Sequence, residues 1–425
     1  MEFNSDDSTS LKNIRAKKSI ETPNFIKYTN HGLQPHILPD IEKKFPKPDI
    51  EQVYIEHFLD RDVPCFADYK EGIHKFLGVE DTETAIFFDI LDPTSNKRSY
   101  SKPSNSYLTA ETGGGLRKIS PELYSQLIKN LSPEMYVSLA DYLFMTADEA
   151  VKGKKIAKSI ERSINWFDKC VKESEGSAVF VPLMGSVVPE ARAKFVNLLQ
   201  QRRFDGVVLI DYSTQIGLAQ QLDLAKPSLI SIPSTIPRYL LGFSAPDEVI
   251  IAIRNGIDIF LSTYPYAVTE QGFASIYSFP ANLENKEPLV DRPFNPSLNL
   301  WESSMSDDFS PISKSCECYT CQKHTRAYIN HLLNTQEMLA TVLLQIHNLH
   351  VYDEFYKNIR KSIKDMSFNE LSEHFLTKYN SRFASNSEGT NAAIGSQFSF
   401  NESLLFDPRN PSPTTKEKIK RFDLS

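Results

Sequence analysis

"RYLLGFSAPDEVIIAIRNGIDIFLST", residues 238–263, carries the fold. "RYLLGFS" and "DIFLST" are short apolar runs with strand character, and the "APDEVIIAIRNG" between them has helical spacing. Asp247 and Glu248 fall in the first turn of that helix and Gly256 at its end, where each suits the terminal charge or the reversal of the chain. A strand, a helix and a strand in so few residues form a crossover unit, and such units build parallel sheets.

The same rhythm extends upstream. "AVFVPLMG" (178–185) and "GVVLID" (206–211) are apolar runs with β-branched residues, separated by the helical "VPEARAKFVNLLQQRR". "SPELYSQLIKNL" followed by "MYVSLADY" adds one more helix and strand, and "SLISIPST" is expected as a further strand. The centre is therefore a parallel sheet with crossover helices, open or closed into a barrel. The N-terminal part differs in texture: "SIETPNFIKYTNHGLQPHILPDI", "IEQVYIEHFL" and "ETAIFFDIL" are strand-like and divided by proline and polar turns. They are expected to form a small β layer attached to the sheet. Residues 1–15 and 381–425 are polar or rich in Ser, Asn, Pro and Gly, and both are expected to be disordered. The expected parts are a β-rich 16–115 that includes the start of the barrel, a β/α body over 116–305 and a helical part over 306–380.

Composition sets limits. A chain of 425 residues with 40% hydrophobic and 24% charged residues can bury a large core. A net charge of −7 argues against indiscriminate nucleic-acid binding but leaves room for a local basic surface. "VKGKKIAKSIERSINWFDKC" is that surface: Ile156, Ile160 and Ile164 line one side of a helix whose outer side is basic, with Lys154, Lys155 and Lys158 near its start. No run approaches the roughly 20 apolar residues of a membrane span.

Parallel barrels act at the C-terminal ends of their strands. Polar residues there are Asp141, Asp211, Ser244, Ser262 and Thr263. "TAETGGGLRK" (109–118) lacks the spacing of a phosphate loop, so Gly113, Gly114 and Gly115 are expected to make a tight turn. These residues alone assemble no convincing catalytic set.

"CECYTC" (316–321) is more specific, holding three of the five cysteines. An odd number of thiols, two of them only two residues apart, disfavours disulfides, and clustered thiols in a reducing compartment suit a metal. Zinc with a fourth nitrogen ligand fits the spacing. His324, His331, His347 and His350 are the candidates. Two helical periods meet near His347 and Asn348, one through Leu332, Leu339, Leu343 and Ile346, the next through Leu349, Tyr352, Tyr356, Ile359 and Ile363. A hairpin-like corner there would aim His347 at the cysteines.

These segments resemble the tRNA-guanine transglycosylases. "CECYTCQKHTRAYINHLL" with "QIHNL" is similar to their zinc-binding C-x-C-x-x-C and His-Asn segment. "LLGFSAPDEVIIAIRNGIDIF" looks like the approach to their nucleophile, and "SIETPNFIKYTNHGLQPH" like their N-terminal opening. The resemblance spans about 20–366 and implies a TIM-type (β/α)8 barrel, with an N-terminal β layer and a zinc-binding helical subdomain. It implies one structural Zn2+ held by Cys316, Cys318, Cys321 and His347.

Two departures are informative. After "GIDIF" the catalytic members carry the aspartate that attacks the ribose C1′, followed by a basic stretch; here Leu261 stands in its place, and Tyr266, Ala267 and Val268 replace the cations. The family's Asp-Ser-Gly-Gly-Phe-Gln motif is matched only by "ETGGGLRK", with Glu111 the nearest carboxylate. This pattern looks like the non-catalytic, accessory branch. Such a chain would form a heterodimer with a catalytic queuine tRNA-ribosyltransferase subunit, which exchanges guanine for queuine at the wobble position of tRNAs with GUN anticodons. It would help hold the tRNA, with Lys154, Lys155 and Lys158 on phosphates. The resemblance further implies a cytoplasmic protein with peripheral association at the mitochondrial outer membrane. The alternatives are a zinc-stabilised scaffold that binds only proteins, and a self-sufficient enzyme using Asp141 or Asp211.

Overall fold

The structure, a computed structural model, describes residues 13–15, 19–42, 47–59, 64–79, 84–92, 104–112, 115–143, 153–173, 176–210, 217–280 and 296–384. Eight parallel strands form its centre: β1 (Asn24–Ile26), β2 (Ile50–Tyr54), β3 (Ala85–Asp89), β4 (Met135–Val137), β5 (Ala178–Pro182), β6 (Gly206–Leu209), β7 (Arg238–Leu240) and β8 (Ile259–Leu261). Each pairs with its sequence neighbour from β2 through to β8, and β8 pairs with β1. The ring closes where Lys27 N–H donates to Ile50 O (2.8 Å) and Gln52 N–H to Lys27 O (2.9 Å), so the sheet is a barrel.

Alternation along the strands divides the core in two. Phe87 points into the barrel with Met135, Phe180, Tyr239, Ile259 and Leu261, while Ile86 and Phe88 point outward beneath the helices. Strands buried on both faces read as continuous apolar runs. The outer layer includes α1 (Pro121–Leu131), α2 (Gly153–Glu173), α3 (Pro189–Leu199), α4 (Leu218–Ile230), α5 (Pro246–Arg254) and α6 (Thr263–Glu270). Helix starts follow their sequences. Ser120 Oγ accepts from Leu123 N–H at the head of α1, and the Glu248 carboxylate accepts from Ser244 and Ala245 N–H at the head of α5. Gly256, at φ 79°, ends the α5 turn as expected.

The N-terminal β layer requires correction. "NFI", "IEQVY" and "AIFFD" are β1, β2 and β3 of the barrel itself; outside it lies the antiparallel pair Asn13–Arg15 and Ser19–Glu21. Among the described residues the connections from β1 to β2 and from β2 to β3 hold only short helical segments, such as Pro39–Glu42 and Ile73–Leu77, and strands without long helices between them resemble a separate sheet. "SLISIPST" is not a strand: Ser228, Leu229 and Ile230 are the last residues of α4, a helix that contains Pro227. Leu108–Thr112 pairs antiparallel with Gly115–Ile119; Gly113 and Gly114, of the tight turn expected, lie outside the described residues.

Beyond α6, an antiparallel pair (Phe273–Ser275 with Ser297–Asn299) leads to α7 (Tyr319–Lys323), α8 (Arg326–Asn334), α9 (Met338–Lys364) and α10 (Phe368–Ala384). The corner expected at His347 is absent. α9 is one 27-residue helix, and the turn lies at residues 335–337, where Gln336 takes φ 59°. Leu332, the first member of the first period, belongs to α8, and the remaining members of both periods lie on the one helix α9, which crosses two cores. Ala340, Leu343 and Leu344 pack with Cys318, Cys321, Ile329 and Leu332, whereas Tyr352, Phe355, Tyr356 and Ile359 join the barrel's outer core. Leu339 is 41% exposed and takes no part in that packing.

Candidate metal centre and the barrel mouth

Cys318 caps the start of α7, and its Sγ accepts from Cys321 N–H at 3.4 Å. The short helix thereby folds Cys321 back over the loop that carries Cys316. α9 brings His347 to the same point, with Nδ1 at 3.7, 3.4 and 3.4 Å from the sulfurs of Cys316, Cys318 and Cys321. His347 Nε2 donates to Ser275 O at 2.8 Å, so Nε2 carries the proton and Nδ1 presents its lone pair to the cysteines. Cys318, Cys321 and His347 are buried and Cys316 half-buried.

A tetrahedral ion with Zn–S about 2.3 Å and Zn–N about 2.0 Å would place N and S roughly 3.5 Å apart, and the observed separations match that edge. Hydrogen bonding among the thiols, with Cys318 as donor, draws Cys316 and Cys321 below the usual thiol range and pushes Cys318 up. Cys316 and Cys321 are thereby drawn toward thiolate, the form that a soft-tolerant cation takes, while Cys318 holds its proton as their donor. His324, His331 and His350 are not part of the converging group.

Neighbouring side chains fix this arrangement to the barrel. Asn348 Nδ2 donates to Thr269 Oγ1 (2.9 Å) on α6 and to Phe273 O (3.1 Å), and its Oδ1 accepts Ser275 N–H (2.8 Å). Thr320 Oγ1 donates to Leu343 O (2.7 Å), tying α7 to α9. The His-Asn pair therefore joins the cysteine loop, the long helix and the barrel exit in a single buried seam.

At the barrel mouth, Leu261 closes β8 at 2% exposure, its side chain among Ile26, Tyr28, Tyr54 and Leu241. Ser262 Oγ accepts Tyr28 N–H (3.0 Å), and Ser244 and Thr263 share a hydrogen bond (2.9 Å). Tyr266 stacks on Tyr28 at 5.5 Å between ring centroids, with burial raising its phenol pKa. Asp258 sits before β8, at the opposite end of the barrel, and accepts Arg238 N–H at 2.8 Å.

Of the strand-end carboxylates expected to matter, Asp141 is buried and bound by Arg162 of α2; burial raises its pKa while Arg162 opposes the rise. Asp211 and the side chain of Glu111 lie outside the described residues. The strand-end search missed Asp89 and Asp92. Asp89, the last residue of β3, accepts from Ile90 N–H (2.7 Å) and Gln52 Nε2 (3.1 Å), and burial pushes its pKa up to about 7. Asp92 accepts from Tyr28 OH (2.9 Å) and His57 Nε2 (2.8 Å). Glu56, His57 and Asp92 form a second close group of potential ligands. Because His57 Nδ1 accepts His31 N–H (3.0 Å), its Nε2 holds a proton, and the pair is satisfied as a hydrogen bond. The signal for both was "FFDILD", hidden by reading β3 as part of another layer.

The basic helix is as the spacing predicts. Ile156, Ile160 and Ile164 are buried, and Lys154, Lys155 and Lys158 are exposed. The chain enters α2 from the C-terminal end of β4, so these lysines belong to the same side of the barrel as its mouth. Lys152 lies outside the described residues.

Comparison with known proteins agrees with this architecture. The model of the queuine tRNA-ribosyltransferase family matches residues 9–381. The queuine tRNA-ribosyltransferase accessory subunit 2 of Gallus gallus is 28% identical over 390 residues, covering 83% of this chain and 90% of that protein. Its Homo sapiens counterpart is 28% identical over 387 residues, covering 84% and 92% respectively. The Schizosaccharomyces pombe protein of the same name is 27% identical over 387 residues, covering 88% and 81%. With the family match running from the first barrel strand through the cysteine loop and its histidine, the chain belongs to the queuine tRNA-ribosyltransferase family.

Proposed function

We propose that this chain is the non-catalytic subunit of a heterodimeric queuine tRNA-ribosyltransferase, working in the cytoplasm. Its catalytic partner exchanges guanine for queuine at the wobble position of tRNAs with GUN anticodons, and this chain supports the partner and helps hold the tRNA. The observation that carries the reading is Leu261: β8 ends in a buried hydrocarbon where an attacking carboxylate would have to stand. A leucine has no lone pair to offer a ribose carbon.

Cys316, Cys318, Cys321 and His347 would hold one zinc ion. Four protein ligands leave no open position, so the ion's contribution is structural. The seam it would complete holds α7, α8 and α9 together. Beside that seam His324 is flanked by the rings of Tyr319 (5.6 Å) and Tyr328 (5.3 Å), and those tyrosines are 48% and 39% exposed. An exposed aromatic cluster on a rigid support is the composition of an interface core, and we assign the partner contact to it. Lys154, Lys155 and Lys158 supply phosphate contacts on the side of the barrel mouth.

The test is exchange of labelled guanine or queuine into a GUN-anticodon tRNA by this chain alone, by the catalytic subunit from the same organism, and by the pair. Exchange that requires the partner supports the reading. Exchange by this chain alone would overturn it and turn attention to Asp89, the mouth carboxylate whose pKa is raised to about 7. Failure of the chain to bind tRNA, alone and with its partner, would leave a zinc-stabilised protein scaffold.

A further inference from the structure

A cleft beside α2 deepens the tRNA reading and rests on it. Lys158, Glu161, Arg162, Asn165 and Trp166 line it together with Asn105, from the connection between β3 and β4, and its volume is about 200 Å³. Its walls are fixed by hydrogen bonds. Arg162 Nε donates to Asn105 Oδ1 (2.7 Å), Trp166 Nε1 donates to Asn105 O (3.1 Å), and a second Arg162 N–H is held by Asp141. Arg162 therefore serves the architecture. Lys158, Glu161 and Asn165, spaced by three and four along one side of the helix, make no side-chain hydrogen bond or ion pair among the described residues.

These three groups define the ligand. A simple anion would meet Lys158 but be repelled by Glu161, and a neutral ligand would leave the lysine without a purpose. A nucleotide offers both a phosphate and a hydrogen-bonding base edge. Trp166 is only 2% exposed and gives no stacking surface, so the base would be held by its edge. Base edges are free in single-stranded RNA and occupied or inaccessible in an A-form duplex.

The α2 N-terminus adds a further indication. Its first turn has no acidic residue and carries Lys154 and Lys155, cations at the positive end of a 21-residue helix. That placement runs against the helix dipole and is relieved by an anion. We propose that the cleft seats one single-stranded ribonucleotide of the tRNA. Its base edge meets Glu161 and Asn165, its phosphate meets Lys158, and the adjoining backbone lies along Lys154 and Lys155.

The test uses the full chain with its catalytic partner and measures GUN-anticodon tRNA binding across a salt series for Asn165→Ala, Glu161→Gln and Lys158→Ala. Asn165→Ala and Glu161→Gln are expected to weaken binding by about three- to tenfold at every salt concentration without altering the slope, as loss of a neutral or edge hydrogen bond does. Lys158→Ala is expected to lower the slope of log K against log salt by about 0.7–0.9, the signature of one lost phosphate contact. The sign at Glu161 is decisive, because a carboxylate that merely repels RNA would bind more tightly once neutralised. Tighter binding by Glu161→Gln, or no change in both it and Asn165→Ala, overturns the nucleotide seat while a lowered slope for Lys158→Ala leaves the phosphate reading intact. An unchanged slope for Lys158→Ala, with Lys154→Ala and Lys155→Ala also silent, overturns both.

Discussion

The metal centre and the barrel mouth bury polar groups in opposite ways. At the metal centre three sulfurs and one ring nitrogen converge, and every supporting bond, from Ser275 O to Asn348, keeps them converging. At the mouth the carboxylates face their own neighbours: Asp89 is taken by Ile90 and Gln52, Asp92 by Tyr28 and His57, and β8 ends in Leu261. One place is organised around a common point of convergence, the other around its own neighbours. A fold can keep a binding centre intact while the region that its architecture reserves for chemistry becomes self-satisfied.

Breaking the metal centre should have the largest effect. Cys318→Ser or His347→Ala is expected to abolish stoichiometric zinc, measured by metal analysis, and to lower the melting temperature by more than about 10 °C, since structural zinc contributes on the order of 10 kcal/mol in small domains. Far-ultraviolet dichroism should retain the barrel's signal at low temperature while the C-terminal helices fray. Zinc retained at one equivalent in either variant would show that the ligand set is wrong.

The mouth can be challenged by restoring a carboxylate. Leu261→Asp places an unpaired charge among Ile26, Tyr28, Tyr54 and Leu241 and should cost about 3–5 kcal/mol in urea unfolding. The variant alone should still not exchange guanine. Activity would mean that the remaining catalytic parts survive and that the nucleophile was the sole loss.

Asp89 gives a finer contrast. Its native pKa of about 7 stands above the ordinary carboxylate value, so the folded state binds more protons than the unfolded state between about pH 4 and 7. Stability is greatest below that window and declines as pH rises through it, by up to about 4 kcal/mol from this group. Asp89→Asn should flatten the decline, as followed by urea unfolding at pH 5 and 8. An unchanged profile would mean that the carboxyl ionises at its usual pH.

The lysines should matter least to the fold. Replacing Lys154, Lys155 and Lys158 together by alanine should leave unfolding within about 0.5 kcal/mol of the parent. The same change should reduce the salt slope of tRNA binding by about two units. A large loss of stability would reassign these residues to the packing of α2.

The two regions also differed in how much of them the sequence disclosed. Three candidate ligands lie within six residues and are gathered by local spacing, whereas spacing alone leaves His324, His331, His347 and His350 as candidates for the fourth and the family resemblance singles out His347. The mouth is assembled from strand ends scattered from Tyr28 to Thr263. With β1, β2 and β3 taken for an outer layer, Asp89 and Asp92 do not count as barrel strand ends. α9 misled for a related reason. Its apolar face continues unbroken, but its surroundings change at His347 from cysteine loop to barrel, and a change of neighbours resembles a change of helix. Short strands such as Met135–Val137 carry too little pattern to announce their partners.

α9 has one further consequence, for the order in which the chain can mature. Tyr352 and Tyr356 pack on Phe25 of β1 at 5.2 Å, and Tyr356 also meets Phe260 of β8 at 5.9 Å. The first strand and the last are thus bound together by a helix made long after either. During synthesis β1 has no neighbour on its β8 side until most of the chain has left the ribosome, and the join gains its cover only with residues 338–364. Completion of this barrel is a late, long-range event: a nascent chain that stops short of β8 presents an open sheet edge, and one that stops short of α9 presents the bare ring of Phe25 to whatever attends it.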